Sequence, residues 1–219
     1  MRKKIIILGG LGNGSVITQA ICDAQKRGND EFEFAGYLND RIDAGQSIEG
    51  FPVLGKLNEA RAFLHSSCYF INTIYRIDGQ EERIRLFQNL DIPESSLATF
   101  IHPTAYVAPN VVLKPGVVIM PNVSISPGVK IGLGSLIMPG TTIGHNSAIG
   151  KYCHLAAQSC ISSFVTISEA VHIGLNATVR ESVTIGEYSA LGMGSVLLSD
   201  IPSHEIWAGN PAKFLRNPQ

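Results

Sequence analysis

The second half of the chain repeats an aliphatic residue at every sixth position, a period that fits neither an α-helix nor a simple β-strand. The series runs from Ile101 to Leu197 without a gap or an insertion. Four residues after each aliphatic position comes a small side chain, such as Val117, Ser135 or Ala177. Glycine and proline recur between them, as short strands joined by tight turns require. Hexapeptide repeats of this kind are typical of β-helices.

Three hexads make one triangular coil, with the aliphatic residue pointing into the prism and the small residue filling a corner. Neighbouring coils stack at the inter-strand spacing of about 4.8 Å, so the repeat predicts a rod on the order of 25 Å long. We expect residues 96–219 to form this parallel β-helix together with a C-terminal tail.

Residues 1–95 lack the six-residue repeat, and predicted strands alternate with predicted helices there. KIIILGG, FEFAGYL and CYFINTI read as strands, and VITQAICDAQKR, NEARAFLH and EERIRLFQNL read as helices. This alternation predicts a parallel sheet covered by helices, a small Rossmann-like domain. The segment DIPESS, Asp91 to Ser96, is the expected link to the rod. The predicted fold class is therefore α/β followed by β.

Composition excludes several functions. The formal net charge is −1 and no basic run occurs, so we expect neither nucleic acid nor a membrane surface as a partner. No apolar stretch approaches the roughly 18 residues of a membrane span. The four cysteines form no CxxC pair, and Cys153 occupies a small inward position of its hexad. These features favour a reduced, cytoplasmic protein.

Two short segments of the first domain predict a nucleotide-bearing ligand. Gly10, Gly12, Asn13 and Gly14 lie between the first strand and its helix, where glycines and a helix N-terminus can hold phosphates. The spacing is not GxGxxG, so a plain strand-to-helix turn is the alternative. Asn39-Asp40 ends the second strand, where an acidic residue can accept hydrogen bonds from a ribose or a pyrimidine N–H. A solvated turn explains that pair equally well.

Two histidines are the candidate catalytic residues of the rod. His145 lies two residues after the inward Ile143, and His154 lies five residues after Ile149. Neither takes an inward position, so we expect both to reach a groove outside the prism. Histidine titrates near neutral pH and can accept a proton in the working range. The alternative is that they are surface histidines without a function.

The order of several motifs along the chain resembles the sugar O-/N-acyltransferases that have a left-handed β-helix. The motifs that carry this resemblance are GGLGNGS, GYLND, GFPVLG, IHPTA, VIMPNVSISPGVKIG, IGHNSAIGKYCH and WAGNPAKF. Sialic-acid O-acetyltransferases and N-acetyltransferases of nucleotide-linked 4-amino-4,6-dideoxy sugars belong to this group. The resemblance implies left-handed coils and a homotrimer with its active sites between neighbouring rods.

The resemblance also implies roles for individual residues. His145 would be the general base, assisted by Asn146, and His154 would lie beside the acetyl group of acetyl-CoA. The sugar nucleotide would bind at the glycine loop, Asn39, Asp40 and Ile74. The remaining contacts with the cofactor would come from Leu175, Gly192, Met193, Pro211 and Lys213.

The implied activity is acetyl-CoA-dependent N-acetylation of a nucleotide-linked amino sugar in the synthesis of bacterial surface glycans. Two departures bear on it. Many relatives have an acidic residue after the base, whereas Asn146 can orient the ring but carries no charge, which an amine nucleophile tolerates better than a hydroxyl. The segment IYRIDGQEE replaces a Gly-Asn or Gly-Asp turn after the third strand, where we expect the sugar-nucleotide pocket.

Other functions remain open from the sequence. O-acetylation of a sialic-acid-type sugar is the first alternative, and a non-catalytic trimeric scaffold that binds sugar nucleotides is the second. A zinc site formed by His145, His154 and His172 is disfavoured, because spacings of nine and eighteen do not match those of the β-helical carbonic anhydrases. We expect no bound metal. A nucleotidyltransferase is disfavoured because no Arg or Lys follows closely on the glycine loop.

Overall fold

The structure, a computed structural model, describes residues 2–66 and 68–219 and divides into two compact units. The N-terminal unit contains the residues up to Tyr75 together with Glu82–Ala98. The rod unit contains Arg76–Glu81 together with Thr99–Gln219. No helix in the described part of the chain is long and apolar enough to cross a membrane.

The N-terminal unit is built on a mainly parallel sheet. Strands β4, β2, β1 and β5 lie side by side in that order and run parallel, and β3 pairs antiparallel with β4 at one edge. The elements in chain order are β1 (Lys3–Leu8), α1 (Asn13–Lys26), β2 (Phe32–Leu38), β3 (Ser47–Ile48), β4 (Phe51–Gly55), a 3-10 helix (Leu57–Ser66), β5 (Cys68–Asn72), α2 (Gln80–Gln88) and a short 3-10 helix (Glu94–Ser96).

The apolar pattern explains why these segments fold as they do. Ile5 to Leu8 of β1 are fully buried, as expected for a central parallel strand covered on both faces. Helix α1 buries Ile17, Ile21 and Ala24, whose spacing of four and three places them on one side of the helix. Burial of each such isoleucine contributes about 1.5–3 kcal/mol. The expected helix NEARAFLH is a 3-10 helix in the structure.

The rod unit consists of two-residue strands at the predicted six-residue spacing, followed by a terminal hairpin. The strands are β6 (Phe100–Ile101), β7 (Tyr106–Val107), β8 (Val112–Leu113), β9 (Val118–Ile119), β10 (Ser124–Ile125), β11 (Lys130–Ile131), β12 (Leu136–Ile137), β13 (Thr142–Ile143), β14 (Ala148–Ile149), β15 (His154–Leu155), β16 (Cys160–Ile161), β17 (Thr166–Ile167), β18 (His172–Ile173), β19 (Thr178–Val179), β20 (Thr184–Ile185), β21 (Ala190–Leu191), β22 (Val196–Leu197), β23 (Ile206–Gly209) and β24 (Ala212–Arg216).

Successive strands take turns among three parallel sheets, which form the faces of the rod. The first face holds β7, β10, β13, β16, β19 and β22, and the second holds β8, β11, β14, β17 and β20. The third face holds β6, β9, β12, β15, β18 and β21, and β23 and the antiparallel β24 continue it. From β6 to β22 each strand pairs with the strand eighteen residues away, so one coil is three hexads. These stacked parallel sheets agree with the predicted left-handed β-helix.

The predicted inward positions form the core. From Ile119 to Leu197 every aliphatic position of the repeat is buried, whereas Ile101 at the start of the rod is 39% exposed. The small residues are buried at the corners, and their hydroxyl groups satisfy backbone atoms there. The Oγ of Ser135, for example, donates to the carbonyl oxygen of Gly150 at 2.8 Å and accepts from the N–H of Cys153 at 3.0 Å.

Candidate active site

His145 lies at the corner between the first and second faces, after β13 and before β14, and its side chain is exposed. The next residue, Asn146, turns the corner with φ 59°, a left-handed conformation that asparagine adopts more readily than most residues. This turn brings the Asn146 Nδ2 to 3.1 Å from the Nδ1 of His145. The structure therefore joins the two predicted catalytic residues through the ring nitrogen that faces the corner.

The orientation of this amide decides which proton-transfer role the imidazole can have. When Asn146 Nδ2–H donates to Nδ1, the neutral ring carries its proton on Nε2 and cannot accept another there. When the amide rotates by half a turn, Oδ1 accepts from Nδ1–H and Nε2 has a free lone pair. An acidic residue could only accept, so it would enforce the second state. Asn146 permits both states.

Phe164 is a contact of His145 that the sequence analysis missed. Its ring meets the His145 ring edge to face, with centroids 4.9 Å apart and an interplanar angle of 85°. The Phe164 N–H also donates to the carbonyl oxygen of His145 at 3.0 Å. Phe164 lies eighteen residues after Asn146 and so occupies the same corner one coil later. An exposed aromatic residue one coil beyond a candidate base was the signal available in the sequence.

His154 has a different environment from the one expected. It lies on β15 of the third face, and only 6% of the residue is exposed, whereas the sequence predicted that it would reach an open groove. Its ring stacks on that of His172 at 5.1 Å between centroids, and the two Nδ1 atoms are 3.2 Å apart. Burial, and then the charge of His172, lowers the pKa of His154 to about 3. Burial lowers the pKa of His172 to about 4.

The rod core separates His145 from His154 of the same chain. His145 projects from the corner between the first and second faces, whereas His154 points outward from the third face, which lies opposite that corner in a triangular section. The inward residues of three strands lie between them. A site that uses both histidines therefore needs two copies of the chain.

Three of the predicted cofactor residues, Leu175, Gly192 and Met193, lie at another corner, between the third and first faces. Leu175 and Met193 lie one coil apart there and are 48% and 75% exposed, an unusual exposure for large apolar side chains. The Gly192 N–H donates to the Trp207 carbonyl oxygen at 2.8 Å, which stacks this coil on β23. Pro211, in the turn before β24, and Lys213, within β24, are both exposed.

The glycine loop leads into the N-terminus of α1. Gly12 is exposed with φ 88°, and no atom lies within 4 Å of the position that a Cβ would occupy. Gly14 is buried, and a Cβ there would lie 3.3 Å from both Ile7 Cγ2 and Thr73 Oγ1, so this glycine permits close packing of the helix on the sheet. The first turn contains no acidic residue, and the buried Ser15 hydroxyl has no hydrogen-bond partner among the described residues.

Helix α1 begins with Asn13, whose side chain is partly exposed, and the buried Gly10 lies in the loop before it. A Cβ on Gly10 would lie 2.6 Å from the Nδ2 of Asn39. That Nδ2 donates to the Gly9 carbonyl oxygen at 2.9 Å, and the Asn39 Oδ1 accepts from the N–H groups of Arg41 and Ile42. The Asn39 amide therefore ties the glycine loop to the turn after β2.

Asp40 lines a pocket of about 710 Å³ within the N-terminal unit. Its Oδ1 accepts from the Leu57 N–H at 2.9 Å, and the pocket also includes Lys56, Arg85 and Asn89. Ile74, the last predicted substrate residue, lies beyond β5, and its N–H donates to the Asn72 Oδ1 at 3.0 Å. The predicted substrate residues thus follow the carboxyl ends of β1, β2 and β5, which is where ligands of open parallel sheets bind.

The segment that departs from the family contains an ion pair within the rod unit. Asp78 receives two hydrogen bonds of 2.9 Å from the Arg216 guanidinium and a third of 3.0 Å from the Gln219 N–H. The hydrogen bonds of Arg216 lower the pKa of Asp78 to about 2. Nothing in the sequence pattern predicted this pairing of two distant residues.

The described residues contain no group of three or more His, Cys, Asp or Glu side chains that could hold a metal ion. Cys153 is buried at its corner, where burial raises the pKa of its thiol to about 12. It is therefore a packing residue rather than a nucleophile.

Comparisons with known proteins agree with this picture. A family model described as the GMPPB C-terminal domain matches residues 96–199. No curated protein matches the sequence. The acetyltransferase domain of PglB from Neisseria gonorrhoeae, solved with acetyl coenzyme A, is 25% identical with a TM-score of 0.84, and the match covers 98% of this chain and 100% of that chain.

Two further structures match over nearly the whole length. PerB from Caulobacter crescentus, solved with CoA and GDP-perosamine, is 25% identical with a TM-score of 0.81, and 97% of each chain is covered. WeeI from Acinetobacter baumannii is 19% identical with a TM-score of 0.77, covering 96% of this chain and 99% of that chain, and it supports the fold alone. The likenesses confirm the predicted resemblance to the hexapeptide-repeat sugar acyltransferases and the predicted enzyme class, an acyltransferase. Acetyl-CoA, the predicted cofactor, is present in the PglB structure.

Proposed function

We propose that the protein transfers the acetyl group of acetyl-CoA to the amino group of a nucleotide-linked amino sugar, of the 4-amino-4,6-dideoxy type. The observation that carries this proposal is the exposed His145, held at its Nδ1 by the Asn146 side chain. Its support is the whole-length likeness to PerB, whose structure contains CoA and GDP-perosamine. A cytoplasmic location and a role in surface-glycan synthesis belong to the same proposal.

His145 acts as the general base in this reaction. As the amine nitrogen bonds to the thioester carbonyl carbon, the Nε2 of His145 takes the proton that the amine loses. The C–S bond then breaks, and the CoA sulfur leaves as a thiolate that takes up the proton from Nε2 and so regenerates the base. This role requires the amide state in which the Asn146 Oδ1 accepts from Nδ1–H. Phe164 limits rotation of the imidazole by its edge-to-face contact.

Each of the two domains binds one of the two substrates. Residues 1–95 form a Rossmann-like domain in which the N-terminus of α1 and the open Gly12 hold the phosphates, while Asp40 faces the nucleoside. Residues 96–219 form a left-handed β-helical domain that binds acetyl-CoA along Leu175, Gly192, Met193, Pro211 and Lys213, with His154 beside the acetyl group.

The enzyme works as a homotrimer. Because the rod core separates His145 from His154, a complete site combines the His145 corner of one chain with the third face of a neighbour. Closed cyclic assembly gives every chain both kinds of neighbour, so each chain contributes to two sites. Light scattering that finds a monomer at assay concentrations would contradict this arrangement.

The test is release of CoA thiol from acetyl-CoA with UDP-, GDP- and dTDP-linked 4-amino-4,6-dideoxy sugars. We expect one of them to be acetylated and His145→Ala to lower kcat by about 10²- to 10⁴-fold, with little change in either KM. His204→Asn is the matched control, because His204 is an exposed histidine stacked on Tyr188 at the end of the rod.

Two measurements distinguish N-acetylation from O-acetylation and from a non-catalytic scaffold. A product that resists hydroxylamine is an amide, whereas a product that hydroxylamine cleaves is an ester and supports O-acetylation. A chain that binds sugar nucleotides but neither binds acetyl-CoA nor releases thiol is a scaffold. Full activity of His145→Ala at neutral pH would refute the assignment of the base.

A further inference from the structure

The stacked pair His154 and His172 has a chemistry that the proposed function does not yet use. The two residues are partners in the register of β15 and β18, so the rod places them one above the other by its eighteen-residue coil. Their ring planes are inclined by only 16°. The resulting approach of the two Nδ1 atoms, to 3.2 Å, is a contact between two ring nitrogens rather than simple stacking.

Such a contact is stable only with one proton between the two nitrogens. A neutral imidazole has one N–H and one lone pair, so one Nδ1 must donate and the other must accept. Two protonated rings would point N–H groups at each other, and burial disfavours the charged form of both. The pair therefore consists of two neutral rings in opposite tautomers.

We propose that His172 is a positioning residue that sets the tautomer of His154, by donating its Nδ1–H to the Nδ1 of His154. His154 then carries its own proton on Nε2, at the far side of the ring, where it is a hydrogen-bond donor. The proposal rests on the proposed function, in which His154 lies beside the acetyl group. The group served by this donor is the thioester carbonyl oxygen.

The direction of the hydrogen bond matters for the reaction. The carbonyl oxygen gains negative charge as the amine attacks, and a fixed donor stabilises that charge. With the opposite direction, the Nε2 of His154 would present a lone pair to the same oxygen and repel it. His172 makes no contact with the substrate in this scheme, because it acts only through His154.

The experiment compares two substitutions of His172. His172→Asn keeps an amide N–H that can donate from nearly the same place as Nδ1, whereas His172→Leu keeps the bulk but removes the donor. Removal of a direct donor to an oxyanion costs about 10²- to 10³-fold in kcat. For loss of the residue behind that donor we expect roughly a tenfold decrease in His172→Leu, with the KM for the sugar nucleotide unchanged. His172→Asn should stay within about threefold of the unmodified enzyme, which a merely structural role would not explain.

A second measurement does not depend on activity. In protein labelled with ¹⁵N-histidine, NMR should show His154 protonated on Nε2 and His172 protonated on Nδ1, and this ordering should be lost in His172→Leu. A proton on Nδ1 of His154 in the unmodified protein would overturn the proposal, as would full kcat in His172→Leu. If no acetyl transfer occurs at all, the proposed function fails, while the NMR result still decides the tautomers. If His172→Leu does not fold, the unmodified protein and His172→Asn decide the question.

Discussion

The separation of His145 and His154 by the rod core predicts that two inactive variants restore activity when they share an oligomer. In a homo-oligomer of His145→Ala every site lacks its base, and in a homo-oligomer of His154→Ala every site lacks the ring beside the acetyl group. In the proposed arrangement each site takes one histidine from each of two chains, so a mixed oligomer contains some sites at which both residues are present.

The size of the effect follows from the assortment of chains. In a proposed trimer that contains both variants, one of the three sites joins an intact His145 corner to an intact third face, so about one third of the sites are complete in doubly purified oligomers. The His145→Ala homo-oligomer should retain only about 10⁻² to 10⁻⁴ of the activity. The doubly purified mixture should therefore exceed that variant by at least roughly 30-fold.

The assay is thiol release by chains that are co-expressed with two different affinity tags and purified on both in succession. A mixture of His145→Ala with His145→Asn is the control, because no arrangement of those chains restores a base. A mixture of His145→Ala with the unmodified chain should retain about half of the sites. If the two variants together are no more active than their average, the two histidines do not come from different chains and the shared-site geometry is wrong.

Three further predictions concern single positions. Asn146→Asp should raise kcat by roughly 1.4- to 5-fold in thiol-release kinetics, because a carboxylate only accepts and so fixes the productive tautomer of His145, an exposed pairing worth about 0.2–1 kcal/mol; an unchanged kcat would show that the amide is already fixed. Gly14→Ala should destabilise the protein by up to about 2 kcal/mol in urea unfolding, because a Cβ 3.3 Å from two side chains costs about 1–3 kcal/mol and the helix propensity of alanine offsets up to about 1 kcal/mol; a raised midpoint would show that the neighbouring side chains give way. Asp78→Asn should lower the free energy of unfolding by about 0.2–1 kcal/mol at pH 7, because the pair with Arg216 is partly exposed. The pKa of Asp78 lies below its ordinary value, so this stability is present above about pH 4 and lost as the pH falls through about 2, and equal effects of the substitution at both pH values would contradict the ion pair.

The sequence predicted the rod well because the core requires an aliphatic residue at every inward position, and this requirement repeats many times along the chain. A single misplaced register would have exposed the whole aliphatic series, yet all its members from Ile119 onward are buried. The strands of the first domain were equally readable, since β1 is a continuous apolar run. The pairing of β3 with β4 and the terminal hairpin of β23 and β24 were not predicted, because such short pairings have no periodicity.

Only part of the candidate site could be predicted from the sequence. The sequence showed that His145 and His154 avoid the core, but it could not show that the first is exposed at a corner and the second is buried on a face. His154 was expected in an open groove because an outward position is usually solvated, whereas it is 6% exposed and packs against His172. Asp78 and Arg216 are 138 residues apart, and their pairing arises from tertiary structure alone.

Two sequence periods constrain insertions into this rod. The period of six decides which side chains point inward, and the period of eighteen decides which face each outward side chain occupies. Insertion of one residue would exchange inward and outward positions downstream and destroy the core. Insertion of six residues before His154 would keep the core intact but move every later outward side chain to the next face. His154 and Met193 would then lie on different faces from those they occupy now. Only insertions whose length is a multiple of eighteen residues preserve both the core and the face on which each outward residue lies. Natural length variation in this rod should therefore fall in whole coils or in loops at the corners, and a six-residue insertion should yield a stable but inactive protein.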